Sequence, residues 1–406
     1  MASNNNKDKC NVPHLRFPEF SGEWKMATFG DIAKGFDYGM NAAAKSFDGN
    51  NKYIRITDID EVSSQYLYDD VVSPDGELED RYLVKENDIL LARTGASTGK
   101  SYLYRNSDGK LYFAGFLIRA NIYKHNSYFV FSQLHTLRYK KWISVMSARS
   151  GQPGINSQEY ASFPVYTTSL QEEDKIATFL KLLDERIITQ NKIIEKYESL
   201  IKGLNDSLYA QYGDDVLTSF SSLGFSYSGL SGKSAQDFGS GKSFITYLNV
   251  YSNNIINEKD FQYVAIKEGE KQNLVEYGDV LFTLSSETPE EVGIGSVYLG
   301  NENVYLNSFC FGIHIINTKI AFPPYLSYYV SSTPFRKFIY PYAQGSTRFN
   351  LCKVDFEKAS IKLPSLENQK RIYSILSHIE SKTETEKSLL DLYNSQKQYL
   401  LRQMFI

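Results

Sequence analysis

The longest periodic pattern in the chain begins at Ser169, ends at Gln211 and predicts a single helix. Ser169 and Glu172 have the Ser-x-x-Glu spacing of a capping box, in which each side chain bonds a free backbone N–H of the first turn. Apolar residues then recur at alternating steps of three and four, interrupted by Gln190: Ile176, Leu180, Leu183, Ile187, Ile194, Tyr197, Ile201, Leu204 and Leu208. A helix with one apolar stripe requires a partner stripe to be stable in water.

A second copy of this pattern lies 196 positions later and supplies the predicted partner. The matching positions are Ser365, Ile372, Leu376, Ile379, Leu390, Tyr393 and Leu400. The copy is weaker, because Thr383, Glu386 and Lys397 fall on its stripe. The matched cap and tyrosine favour an internal duplication over two unrelated amphipathic helices.

The stretches between the helices repeat as well. Tyr53–Ile59 alternates as a half-buried strand does, and Phe244–Val250 repeats that pattern 191 positions later. A buried strand is predicted after Asp88, and its copy after Asp279 has the same offset. Each block then contains one helical segment, at 128–148 and 324–342. The chain therefore has the order block, helix, block, helix.

This order predicts an α+β fold with two mixed α/β domains and two long helices. Since duplicated units commonly sit on a pseudo-twofold axis, we expect the helices to form an antiparallel coiled coil and the blocks to lie at its opposite ends. The predicted segments are an N-terminal arm at 1–16, a first domain at 17–165, a central helix at 166–215, a second domain at 216–363 and a C-terminal helix at 364–406.

Composition narrows the class of protein. The net charge of −3 over 406 residues gives no global basic field, so any nucleic-acid site must be local. Three widely separated cysteines fit a reducing compartment, and we expect a cytoplasmic protein. No apolar run reaches the roughly 18 residues of a membrane span, and the five histidines have no metal-site spacing.

The most informative local feature occurs once in each block. It is a cationic and aromatic helix end followed by a tight polar turn, at 151–156 and, 194 positions later, at 345–350. Lysine and arginine neutralise phosphates, and the side chains of Gln, Asn and Arg have the bidentate geometry that recognises adenine or guanine. The candidate DNA-binding residues are Lys140, Lys141, Arg149, Gln152 and Asn156 in the first block, and Arg336, Lys337, Gln344, Arg348 and Asn350 in the second.

The alternative interpretation of this feature is a solvated surface helix with an ordinary turn. Recurrence at the same place in both blocks favours a functional site. Arg348 is our strongest candidate for a base contact, because a guanidinium pairs bidentately with guanine.

Three near-motifs are predicted to be turns. Gly95–Ser101 resembles a phosphate loop but is one residue short between its glycines, and Gly239–Ser243 lacks the first glycine. Phe322–Tyr325 resembles the catalytic tetrapeptide of amino-methyltransferases, but Phe322 has no polar atom to accept from an amine. No other catalytic motif occurs, so we predict that the chain is not an enzyme.

Several stretches resemble one family. Asp88–Lys100 and Pro13–Phe20 resemble signatures of the specificity subunit of type I restriction–modification systems, and Gly278–Glu291 resembles the second-domain version. The resemblance covers essentially the whole chain, including the order of blocks and helices. One departure is Leu284, which stands where the first block has Arg93. A DNA role for Arg93 therefore cannot be assumed for both halves.

The resemblance implies that the blocks are target-recognition domains that bind a split sequence in double-stranded DNA, one domain per half-site. It also implies two methylation subunits, which use S-adenosylmethionine on adenine, and ATP-driven restriction subunits as partners. The specificity subunit itself has no catalytic residues and no cofactor. The alternative from another class is a two-headed cytosolic adaptor that binds protein or glycan and has no DNA role.

Overall fold

The computed structural model describes residues 11–148, 152–213 and 215–406. The chain divides into two units, and each unit contains one domain and part of both long helices. The first unit is Met1–Asn191 with Ser388–Ile406, and the second is Lys192–Lys387. Two mixed α/β domains and two long helices confirm the predicted fold class. The exact domain boundaries remain a prediction.

The first unit is built on a four-stranded antiparallel sheet. Its strands are β1 (Lys25–Thr28), β2 (Ala33–Tyr38), β3 (Ala43–Ser46), β4 (Lys52–Ile54), β5 (Val72–Asp75), β6 (Asp88–Ala92), β7 (Ser101–Leu103), β8 (Leu111–Phe113), β9 (Leu117–Ile122) and β10 (Pro164–Thr167). Its short helices are α1 (Phe29–Ile32), α2 (Ser127–Gln133), α3 (Leu137–Met146) and α4 (Ser157–Ala161). The main sheet has the order β2-β9-β6-β7, and smaller sheets pair β1 with β10, β3 with β5 and β4 with β8.

Strand β6 lies at the centre of this unit. All of its residues are buried, as the apolar run Ile89–Ala92 predicts for a central strand. Successive side chains point to opposite faces of a sheet. Accordingly, Ile89 and Leu91 pack into the cluster that contains α2 and the long helices, whereas Leu90 and Ala92 pack against Tyr102 on the other face.

The second unit repeats this arrangement. Its strands are β11 (Val216–Thr218), β12 (Gly224–Ser228), β13 (Phe238–Ile245), β14 (Gln262–Val264), β15 (Val280–Thr283), β16 (Ser285–Ser286), β17 (Gly295–Val297), β18 (Tyr305–Leu306), β19 (Cys310–Ile315), β20 (Ala343–Gln344), β21 (Phe349–Leu351) and β22 (Ile361–Leu363). Its short helices are α6 (Phe220–Leu223), α7 (Tyr247–Ser252), α8 (Pro323–Tyr329), α9 (Thr333–Ile339) and α10 (Lys353–Lys358). The main sheet, β12-β19-β15-β17, has the same order as its counterpart, and β15 takes the place of β6.

Two predicted strands are wrong in extent. Of the first alternating stretch only Tyr53 and Ile54 lie in a strand, β4, and a single 3-10 turn, Ile56–Asp58, follows it. The second stretch changes to helix after Ile245, because the hydroxyl of Thr246 accepts the backbone N–H of Asn249 and caps α7. A local side-chain cap therefore competes with the strand, which the alternation of apolar residues does not reveal.

The two predicted helical segments are each divided into two helices. Thr136 caps α3 by accepting the N–H of Tyr139, and Ser332 caps α9 by accepting the N–H of Phe335. These caps lie 196 positions apart. The break is therefore a repeated feature of the two domains.

The long helices are α5 (Leu170–Tyr212) and α11 (Leu366–Gln403), as the heptad pattern predicts. In the first unit the amine of Lys397 lies 2.7 Å from the carboxylate of Asp184, and Arg186 lies over the ring of Tyr393. In the second unit the amine of Lys387 lies 3.1 Å from the carboxylate of Glu198. In the first unit rising numbers on α5 meet falling numbers on α11, so the helices are antiparallel there.

The first turn of α5 differs from the predicted capping box. Ser169 accepts the N–H of Glu172 as expected, but the Glu172 carboxylate bonds other partners. It accepts from two guanidinium nitrogens of Arg16, Nε and Nη2, each at 2.7 Å, from the indole of Trp24 at 3.2 Å and from the hydroxyl of Thr168 at 2.6 Å. Burial alone raises the pKa of Glu172, but these hydrogen bonds outweigh it and lower the pKa below 4.5. This buried carboxylate ties the helix to the N-terminal segment.

We predict that Glu172→Gln destabilises the first unit by about 1–3 kcal/mol at neutral pH, because Arg16 loses its charged partner. A carboxyl group whose folded pKa is lowered stabilises the fold above its unfolded pKa, and that contribution is lost as the pH falls through the folded pKa. The difference between wild type and variant should therefore shrink below about pH 4.5. Both tryptophans, Trp24 and Trp142, lie in the first unit, so their fluorescence during urea unfolding reports on this unit.

Glu79→Gln is the matched control, since Glu79 lies in the first unit, is half exposed and pairs with an exposed arginine. Its effect should stay within about 0.5 kcal/mol. A Glu172→Gln penalty that is the same at every pH would contradict a role for the Glu172 charge.

Candidate nucleic-acid interface

In the first domain the predicted polar turn is fixed against the loop that follows β6. The N–H of Ile155 donates to the carbonyl of Arg93 at 2.9 Å, and the N–H of Gly95 donates to the carbonyl of Pro153 at 3.0 Å. Gln152 precedes these contacts and its side chain is exposed. The near-motif at 95–101 is thus a turn that supports the segment after α3.

In the second domain the predicted turn is a β-hairpin. Strands β20 and β21 pair so that Gln344 lies opposite Asn350, and β21 also pairs with β16. Gln344, Arg348 and Asn350 are all exposed. A nitrogen of the Arg348 guanidinium lies 3.3 Å from the hydroxyl of Ser285. Three of the predicted residues therefore share one exposed hairpin.

The backbone contacts correct the alignment of the two turns from 194 to 196 positions. Leu351 donates to the carbonyl of Leu284 as Ile155 donates to that of Arg93. Counting back from these matched residues, Gln152 corresponds to Arg348. The sequence-based offset of 194 is wrong because it matches the Gly and Asn residues of the two turns with each other. The backbone hydrogen bonds pair different positions.

Asn156 is engaged in a helix cap. Its side-chain oxygen accepts the N–H of Glu159 at 2.9 Å, and its own N–H donates to the carboxylate of Glu159 at 2.7 Å. Cys352 occupies the equivalent position before α10, where its thiol contacts Asp355. The role of Asn156 in DNA binding stays a prediction, and its side-chain oxygen already has a structural partner.

The predicted phosphate contacts fall into two groups. Lys140, Lys141 and Lys337 have exposed side chains. Arg336 instead donates from its guanidinium to the backbone carbonyls of Gly293, Glu290 and Val292, each at 2.7 Å. Burial lowers the pKa of Arg336. This geometry favours a role in bracing the loop after β16.

Arg149 falls outside the described residues, so its DNA-binding role also stays a prediction.

Sequence reasoning missed a group of aromatic residues beside these turns. Phe116 and Phe309 are 63% and 56% exposed, which is unusual for phenylalanine. Tyr38 lies beneath the guanidinium of Arg93, 4.7 Å from it. A hydrogen bond from Ser157 lowers the pKa of Tyr38, and the charge of Arg93 acts in the same direction. The sequence did contain a signal for these residues, because Phe116 and Phe309 follow the two buried strands and lie 193 positions apart.

No group of His, Cys, Asp and Glu suited to a metal ion occurs among the described residues. In the same part of the chain, every helix is too short or too polar to cross a membrane.

Comparison with known proteins identifies the fold. The family model for the type I restriction modification DNA specificity domain matches residues 21–199 and 234–392. The type I restriction enzyme MjaVIII specificity subunit of Methanocaldococcus jannaschii is 24% identical over 205 residues. That match covers 48% of this chain and 44% of the relative, so it spans less than half of either protein.

Two solved structures are similar over nearly the whole chain. One is the S subunit of a type I restriction–modification system from M. genitalium, with a TM-score of 0.56 and 14% identity over 97% of this chain and 99% of that one. The other comes from work on complex assembly and conformational transition of the type I R-M system, with a TM-score of 0.57, 14% identity and the same two coverages. At this identity the likeness concerns the fold. Since the family model matches both halves, the chain belongs to the type I restriction–modification DNA specificity family.

Proposed function

We propose that this chain is the sequence-specific DNA-binding subunit of a type I restriction–modification complex, in which each domain recognises one half of a split target. One observation carries the proposal. The family model matches two domains of the same sheet order, and each domain carries exposed lysine beside an exposed polar turn. The continuous helices α5 and α11 run from one unit into the other. We propose that they fix the spacing of the half-sites.

The net charge of −3 gives the chain no overall attraction to DNA. The exposed cations would supply that attraction locally. Lys140, Lys141 and Lys337 would contact phosphates, which orient a protein on the duplex without selecting a sequence. The turn after each helix would then lie at a groove. Arg348, with Gln344 and Asn350 on the same hairpin, would contact base edges.

The proposal extends to partners. Methylation subunits would bind this chain and use S-adenosylmethionine on adenine, and restriction subunits would join for cleavage. The chain itself would contribute recognition and assembly and no catalytic residue. We propose a cytoplasmic location for this complex.

A domain exchange tests the proposal. The full chain, produced with the methylation subunit from the same genome, is used to select from a random duplex DNA pool. We predict a split motif. Replacing the second domain, about 216–363, with that of a relative should change one half-site to the relative's and leave the other unchanged. The reciprocal exchange of 17–165 is the control.

Two results would contradict the proposal in different ways. Absence of any enriched sequence with the wild-type complex would favour the protein–protein adaptor. Changes in both half-sites after one exchange would show that the domains do not recognise DNA independently.

Neighbouring residues on α9 provide a second prediction. Lys337→Ala should weaken binding to all sequences alike and lower the salt slope by about one unit, as should Lys140→Ala and Lys141→Ala. Arg336→Ala should leave the salt slope unchanged and destabilise the second unit by about 1.5–3 kcal/mol, because three carbonyls lose a charged donor. Binding at two salt concentrations and urea unfolding followed by circular dichroism separate these effects. Equal changes in salt slope for both residues would instead assign Arg336 to a phosphate.

Arg348→Ala should reduce affinity mainly for the cognate site and relax the preference at one base of one half-site. Loss of a bidentate guanine contact costs about 1–3 kcal/mol of discrimination. The measurement compares cognate and single-base-changed DNA at two salt concentrations. Equal losses on every sequence, with a shallower salt slope, would make Arg348 a phosphate contact.

A further inference from the structure

The two domains share one backbone frame around their candidate interfaces. The N–H of Arg93 donates to the carbonyl of Phe116 at 3.1 Å, and the N–H of Leu284 donates to that of Phe309 at 2.9 Å. These bonds make Arg93 equivalent to Leu284 and Phe116 equivalent to Phe309. Together with the matched turns, they define corresponding positions in the two domains.

Each domain holds a guanidinium in this frame, but at a different position. In the second domain Arg348 comes from the hairpin, and its guanidinium lies 6.0 Å from the ring of Phe309. In the first domain the hairpin position is Gln152, and the guanidinium belongs to Arg93 at the end of β6. Arg93 donates to the carbonyl of Gly115, next to Phe116, at 3.4 Å. The hairpin position therefore has arginine in the second domain and glutamine in the first. The position after the central strand has arginine in the first domain and leucine in the second.

Within the described part of the chain, the contacts of both guanidinium groups are with neutral groups. Arg348 contacts a hydroxyl and an aromatic ring, and Arg93 contacts a carbonyl and the ring of Tyr38. Arg55 lines the same groove as Arg93 and Phe116, but it is paired with the carboxylates of Asp58 and Asp70. The positive charge of Arg93 thus stays available to an anionic or hydrogen-bond-accepting ligand.

The ring of Tyr38 gives Arg93 a defined orientation. The Tyr38 hydroxyl accepts the N–H of Ser157 at 3.2 Å, which anchors the ring to the first residue of α4. A guanidinium is planar through delocalisation, and an aromatic face beneath it restricts the directions in which its N–H donors point. Arg93 is therefore prepared for a planar, bidentate acceptor, and the O6 and N7 atoms of guanine form such an acceptor.

We propose that Arg93 is the functional counterpart of Arg348, so that each domain recognises a guanine with one arginine beside an exposed phenylalanine. The two arginines lie at non-equivalent positions in the sequence, but each places its guanidinium near the exposed phenylalanine of its domain. This inference rests on the proposed DNA-recognition function and names a specificity residue within it.

The first test uses substitutions at Arg93 in the full chain with its methylation subunit, probed with a random duplex DNA pool and with single-base-changed duplexes. Arg93→Leu introduces the residue that the second domain has at this position, where the backbone forms the equivalent hydrogen bonds. Discrimination at one guanine of the first half-site should fall by about 5- to 150-fold. The second half-site should not change. Arg93→Lys keeps the charge without the planar fork and should show the same relaxation.

The second test moves the arginine. Arg93→Leu combined with Gln152→Arg gives the first domain the arrangement of the second, and it should restore the guanine preference at the same base. The reciprocal pair, Leu284→Arg with Arg348→Gln, should do the same in the other half-site. A role for Arg93 in folding alone predicts no such recovery.

Several outcomes overturn the inference. Arg93→Leu that leaves the selected motif unchanged shows that Arg93 contacts no base. Arg93→Leu that weakens all sequences equally and lowers the salt slope by about one unit, with Arg93→Lys unaffected, shows a phosphate contact. Both results retain a split motif for the wild type and leave the proposed function intact. A wild type that selects no motif overturns the proposed function and this inference together.

Discussion

The fold depends on one constraint: a long helix with a single apolar stripe must cover that stripe. Helices α5 and α11 cover each other and also complete the domain cores. Leu400, Met404 and Phe405, from the end of the chain, pack with Trp24 in the first unit. Residues from the second half of α5, such as Leu204, pack into the core of the second unit. Each unit therefore includes residues from both helices, and the core of each domain depends on the apolar stripes of both.

Duplication gives the two domains the same frame but leaves side chains free to differ. The main sheets have the same strand order, and both segments before the candidate turns break at a hydroxyl cap. Two differences fall at the candidate interfaces. Arg336 braces a loop where the first domain has exposed Lys140, and the hairpin position has Arg348 in one domain and Gln152 in the other. A shared scaffold with divergent exposed residues suits the recognition of two unlike half-sites.

Features with a strong period were predictable from the sequence. The helix α5, its copy, their antiparallel pairing and the central buried strands follow from the spacing of apolar residues. Features set by a single side-chain contact were not. Thr246 converts a predicted strand into a helix, and Glu172 bonds Arg16 in place of the cap. The sequence predicted the kind of residues that form the candidate site. It could not show which cations are free to bind, because a carbonyl distant in sequence, such as that of Gly293, takes up the guanidinium of Arg336.

The central claim is that two domains recognise separate half-sites and that the long helices set the distance between them. Its most direct test deletes one heptad from each helix, Ile187–Ile193 and Thr383–Leu389, and determines the sequence selected from random duplex DNA. Seven residues of helix correspond to about 10 Å, or roughly three base pairs. The account predicts both half-sites unchanged and a spacer shorter by about three base pairs. An unchanged spacer with altered bases would contradict it.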